Sequence, residues 1–215
     1  MSTITSAGPA QPPVALTSRL GVDAALGLAN SAHGPSAHYG RRARPGEPAH
    51  DHLVTAEAAI EFLGTHAVPI PAEPPSAAQL DRLRAVRARI RELVDGPGID
   101  LGTWRLRFEA VLTDARYRLE ADGTVRSVAQ GWDGVTDELL AAALTLAAER
   151  ARLRRCGNPG CRWIFVDRSR KGNRIWCETA VCGNRMRVGR HRLRHLQPAR
   201  AAVPGMGSPA SQPPR

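Results

Sequence analysis

All four cysteines of the chain stand within 27 consecutive residues, as Cys156-x4-Cys161-x15-Cys177-x4-Cys182. Paired thiols separated by roughly 15 to 20 residues are what a tetrahedral ion requires when two chain reversals each supply two ligands. The turn chemistry agrees, since Gly157-Asn158-Pro159-Gly160 bends the first pair and Gly183 follows the last ligand. Four sulfurs fill a tetrahedral ion and leave no position for water or substrate, so the expected role of the ion, one Zn2+, is structural. A unit of about 40 residues cannot bury enough apolar surface alone, and the metal must supply much of its folding free energy, on the order of 10 kcal/mol.

Other uses of the thiols fit less well. Disulfides need an oxidising compartment. The N-terminal "MSTITSAGPAQPPVALTSRL" lacks the charged and leucine-rich regions of a secretory signal, so a cytoplasmic chain with reduced thiols is expected. Neither pair has the Cys-x-x-Cys spacing of a redox site. His191 and His195 offer an alternative ligand set with Cys177 and Cys182, but the eight residues from Cys182 to His191 fall short of a two-Cys, two-His finger, and Cys156 and Cys161 would be orphaned. No apolar run approaches the roughly 20 residues of a membrane helix, and no membrane contact is expected.

The formal net charge of +10 is unevenly divided. Residues 1–150 carry 15 Arg and Lys against 18 Asp and Glu, or −3, whereas residues 151–215 carry 15 against 2, or +13. An anion-binding module is thus appended to a mildly acidic body. Arginine outnumbers lysine 29 to 1, a bias owed mainly to base composition, although the guanidinium fork also suits phosphate and guanine.

With aromatics at 4 %, the core must rest on Leu, Val, Ile and Ala, which favours helices. Residues 1–17 and 198–215 are rich in Pro, Ala, Ser and Gly and are expected to be disordered tails. A helix or strand begins near residue 22, followed by a breaker-rich loop, "HGPSAHYGRRARPGEPAHDH", whose His33, His38, His50 and His52 are expected to be solvent-exposed. Thr55 caps a short helix that ends near Gly64. Ser76 and Gln79 form a capping box for a helix over 76–95, with Leu80, Leu83, Val86, Ile90, Leu93 and Val94 on its apolar face and its arginines on a solvated one, stopped by Gly96-Pro97. Asp122-Gly123 predicts a β-hairpin, and a helix over about 136–154 leads into the first cysteine. Between the cysteine pairs, "RWIFVDRSRKGNRIWC" reads as strand, turn and second strand. "NRMRVGRHRLRHL" then reads as a helix with Met186, Gly189, Leu193 and Leu196 on one face. The expected fold is α+β: a helical and β-hairpin domain over 18–150, then a treble-clef zinc finger over 151–197, in which knuckle, hairpin and helix follow in order.

From about residue 152 to 195 the sequence closely resembles the CGNR zinc finger family of bacterial proteins, in the tetrapeptide Cys182-Gly183-Asn184-Arg185, in Asp167 and Ser169, in "RIWC", and in the basic helix. "AALGLANSA" and "DHLVTAEAAIEFL", with the helix that follows, are similar to the ABATE domain that precedes such fingers in proteins described as stress-induced transcription regulators. The resemblance implies zinc binding by Cys156, Cys161, Cys177 and Cys182, and DNA binding. Lys171 and Gly189 depart from the usual family residues.

If the metal pins the start of the basic helix, Arg185, Arg187, Arg190, Arg192 and Arg194 ride on a rigid element beside Arg168, Arg170, Lys171 and Arg174 of the preceding turn. Together they form one cationic surface for DNA, with helix arginines reading the major groove and the turn gripping phosphates. An interaction module that docks RNA or an acidic protein is the alternative. The body shows no phosphate loop or catalytic triad spacing, so no enzymatic activity is expected; a small-molecule effector or a homodimer is its expected business.

Overall fold

The structure, a computed structural model, describes residues 17–35, 48–95, 100–112 and 115–196. Both expected tails, apart from Thr17, together with His38 and Gly96-Pro97, lie outside the described residues. Three helices build the body: α1 (Val22–Asn30), α3 (Ala77–Asp95) and α5 (Gly131–Ala148), with α2 (Ala56–Gly64) and α4 (Leu101–Leu112) beside them. Among the described residues, no helix is long and apolar enough to cross a membrane.

Small residues make α1 the centre of the packing. Ala24, Ala25, Leu28 and Ala29 are all buried, and at Gly27 a Cβ would lie 2.4 Å from the Cβ of His66. The capping box of α3 is formed as expected: Gln79 N donates to Ser76 Oγ at 3.3 Å, and Ser76 N donates to Gln79 Oε1 at 3.0 Å. Leu80, Leu83, Val86, Ile90 and Leu93 enter the core, and Thr55 Oγ1 caps α2 by accepting from Ala58 N.

The arginines of α3 do not form a solvated face. Arg87 holds Asp51 through both carboxylate oxygens at 2.6 and 2.8 Å, Arg82 holds Asp133 and the buried Asp137, and Arg91 donates to the carbonyls of Ala29, Ala32 and Arg162. Such forked donors tie α1, α5 and the segments around Ala32, Asp51 and Arg162 to one helix.

The hairpin expected at Asp122-Gly123 joins β4 (Tyr117–Leu119) to β5 (Thr124–Ser127), with Gly123 at φ +82° and Asp122 Oδ1 accepting from Thr124 N. β1 (Thr17–Ser18) adds in parallel to β5, a long-range pairing that no local pattern announces. β2 (Ala32–His33) and β3 (His50–Asp51) form an antiparallel bridge, His33 opposite His50, where the sequence predicts only loop.

Two further expectations are corrected. α5 begins at Gly131 because Trp132 is buried, its Nε1 donating to Glu73 O at 2.8 Å, and it ends at Ala148 rather than near 154. A 3-10 turn (Arg150–Arg152) follows, and then strand β6 (Leu153–Arg155) pairs antiparallel with β7 (Ile164–Val166). The good helix propensity of the arginine run yields to the hairpin that closes the first cysteine turn. The second correction is that residues 174–177 form no strand with β7, whose partner is β6.

Candidate metal centre and its basic helix

β7 serves two cores at once. Its side chains alternate across the strand, so Ile164 and Val166, with Leu153 of β6, join the body core, whereas Phe165 faces the cysteines. The finger is therefore docked on the body through its own hairpin. Asn30 at the end of α1 completes the joint: its Nδ2 donates to Ile164 O at 2.9 Å and its Oδ1 accepts from Ile164 N at 2.7 Å. Gly34 N donates to Cys161 O at 2.8 Å, and a Cβ on Gly34 would lie 2.2 Å from Gly160 O. Only glycine permits that approach.

The first two cysteines sit on the turn of the β6–β7 hairpin. Cys156 N donates to Trp163 O at 2.8 Å, Cys161 N donates to Asn158 O at 2.9 Å, and Arg162 adopts a left-handed φ of +61°. Of the last two, Cys177 precedes and Cys182 lies within a short π-helical turn, Thr179–Gly183, in which Cys182 N donates to Glu178 O, and helix α6 (Asn184–Leu196) begins immediately after it. A Cβ on Gly183 would lie 3.0 Å from Trp176 Cδ1, so the indole would have to give by a few tenths of an ångström.

All four sulfurs lie within 4.8 Å of one another, and all four cysteines are buried. Sγ of Cys161 is 3.8 Å from Sγ of Cys177, which is 3.7 Å from Sγ of Cys182. Four thiolates at about 2.3 Å from a tetrahedral Zn2+ are about 3.8 Å apart, so the donor set fits that ion in both chemistry and spacing. Disulfides would require about 2.0 Å. Without a cation, four such thiols cannot all ionise. Hydrogen bonds from Cys161 and Cys177 pull the Cys156 thiol down to about 2, and donation to that thiolate pushes Cys161 up to about 12 and Cys177 higher still. Metal binding displaces those protons, so affinity falls as pH falls. Asn158 Nδ2 also points at Cys182 Sγ at 3.6 Å, a partner the sequence pattern did not reveal.

Asp167, fully buried, organises the loop between the pairs. It accepts from Ser169 N at 3.0 Å and from Arg174 N at 2.8 Å, and its pKa is lowered to about 2, chiefly by the Ser169 side chain. Arg174, expected among the DNA contacts, is exposed like its neighbours, and its guanidinium donates to the carbonyls of Trp176 and Cys177 and lies over the Phe165 ring, 5.1 Å from its centre. Arg168, Arg170 and Lys171 remain exposed on the loop.

Helix α6 departs from its expected amphipathic packing. Arg185, Met186 and Val188 are half-buried, but every residue from Gly189 to His195 is exposed, Leu193 at 66 % included. At about 100° per residue, Arg187, Arg190 and Arg194 share one face, while Arg185 and Arg192 point the opposite way. The helix is an arm anchored at its metal end, cationic on two sides.

Residues 152–195 match the sequence profile of the family described as "CGNR zinc finger". Residues 23–154 match that of ABATE, described as "Putative stress-induced transcription regulator". No curated protein matches the chain. With its body spanned by one profile and its cysteine site by the other, the chain belongs to the ABATE family and carries a CGNR zinc finger that holds one Zn2+ through Cys156, Cys161, Cys177 and Cys182.

Proposed function

We propose that this protein is a zinc-dependent transcription regulator that binds duplex DNA through α6 of a treble-clef finger. The observation that carries the reading is the arm itself. Isolated helices shorter than about 12 to 15 residues are marginal in water, and one loaded with arginines repels itself. A polyanion relieves both problems. Arginines on two sides of one helix match the two phosphate walls of a major groove, while the central face meets base edges. Arg168, Arg170 and Lys171, on the exposed loop, supply further phosphate contacts. The reading has no catalytic step and places the protein with the chromosome in the cytoplasm. An effector or a second copy acts on the body and is felt at the finger through β7 and Asn30, which both parts share.

A salt titration of the zinc-loaded protein against randomised duplex DNA, with the bound sequences recovered and read, tests this. With about six phosphates neutralised, the log-log slope is roughly −5, and Arg187→Ala with Arg190→Ala flattens it by about 2 while zinc stays bound. Little salt dependence and no enriched sequence would instead identify the finger as a docking module for an acidic protein.

A further inference from the structure

A second group of potential metal ligands lies on the β2–β3 bridge, where the sequence predicts exposed loop histidines. His33 is buried, 3 % exposed, and its Nδ1 stands 2.9 Å from the carbonyl oxygen of Gly34. A carbonyl only accepts, so Nδ1 carries the hydrogen and the lone pair resides on Nε2. That Nε2 faces Nε2 of His52 at 3.0 Å. Phe62 stacks on the His52 ring at 4.3 Å and 19°, and Trp163 lies beside His33 at 5.7 Å, which fixes both rings. His50 is the cross-strand neighbour of His33, its ring 5.3 Å from that of His33 and 6.3 Å from that of His52.

We propose that His33 and His52 chelate a divalent transition ion through their Nε2 atoms, with His50 able to rotate in as a third ligand. The chemistry is that of an imidazole site for Zn2+ or Ni2+, separate from the cysteine-bound zinc. Two nitrogens held at 2.0 to 2.1 Å by a tetrahedral ion are about 3.3 Å apart, so the pair must open by only about 0.3 Å. A ligating histidine that donates its other ring hydrogen to a backbone carbonyl is the usual support of such a site. Burial lowers the pKa of both His33 and His52, which keeps them in the neutral form that binds metal. As the rings stand, one hydrogen lies between the two Nε2 atoms, donated by His52. Metal binding moves it to Nδ1 of His52, the other tautomer, and no net proton is released. His50 and His52 are half-buried, so an ion enters from their side. The surrounding charges are Arg91, Asp51 in its pair with Arg87, and Glu61, with His66 on the far side of Phe62.

The pair His191 and His195 on α6 supplies a built-in contrast. Its Nε2 atoms are 3.1 Å apart and its ring centres 4.2 Å apart, yet both side chains are exposed. It must be removed before the buried pair is tested. The inference goes beyond the DNA-binding reading and does not rest on it.

The experiment uses the untagged full chain carrying His191→Ala and His195→Ala, zinc in its cysteine site, titrated calorimetrically with Ni2+ while zinc content is followed by elemental analysis. One further ion per chain, with no loss of zinc, is expected. Adding His52→Asn abolishes that binding. Imidazole nitrogen NMR of the chain without the His52 change provides a readout that does not depend on how the variant folds: the signals of His33 and His52 shift with Ni2+. No second ion, binding equal in the His52→Asn protein, or unmoved His33 and His52 signals would overturn the site.

Discussion

Around Leu83 and Ile90 of the body, fully buried aliphatic side chains from α1, α3 and α5 meet directly, whereas around Cys161 of the finger the fully buried apolar side chains are sulfurs. The body is held by the area its helices remove from water, a stabilisation spread over many contacts. The finger concentrates its stability at one point, which a single atom change can remove. The difference also sets where each can carry function. A core built of many contacts resists local change, while a helix pinned at one end and exposed beyond Gly189 presents all its faces to a partner.

The most damaging change expected is Cys182→Ser, or removal of zinc by a chelator. Loss of on the order of 10 kcal/mol of metal-linked folding free energy abolishes hydrogen-exchange protection across residues 156–183. Amides of α1, α3 and α5 keep theirs. Loss of protection in those helices as well would mean that the body cannot fold without the docked finger, and the comparison would collapse into one cooperative unit.

Asn30→Ala attacks the joint between the two. It leaves the buried N–H and C=O of Ile164 without their side-chain partner, at about 1–3 kcal/mol per unsatisfied group, so about 2–6 kcal/mol in all. The expected result is a lowered unfolding midpoint in denaturant with zinc still bound at neutral pH. A midpoint within error of the parent would mean that the finger is held by Leu153, Ile164 and Val166 alone.

What could be read in advance follows the same division. The ligand set was legible because metal ligands and their turns are local in sequence, as were the Ser76 capping box and the Asp122-Gly123 turn. Pairings that depend on distant partners were not. Leu153-Arg154-Arg155 is strand only because Ile164-Phe165-Val166 lies opposite, and Thr17 is ordered against Thr124. The arginines of α3 carry helix-surface spacing, but their partners at Asp51, Asp133 and the carbonyl of Arg162 come from other parts of the chain. His33 and His52 flank a segment rich in breakers, which is what hid their approach. The charge of Arg174 was legible, but its contacts with the carbonyls of Trp176 and Cys177 and with the Phe165 ring were not.

The smallest expected effect bears on the exposed arm. Gly189 lies inside α6 with helical backbone, and a Cβ built on it meets nothing within 4 Å. In a helix interior, Gly is less favourable than Ala by roughly 0.5–1 kcal/mol, largely through the freedom it retains in the unfolded chain. Gly189→Ala therefore raises the helicity of α6, seen as slower amide exchange over residues 188–194, and leaves zinc affinity unchanged because the metal end is already fixed. If α6 is ordered chiefly by binding DNA, the same change tightens that binding several-fold, since less ordering remains to be done at the complex. A helix that gains protection without any gain in affinity would instead show that the arm is fully formed before it meets its partner, and that the metal alone is enough to hold it.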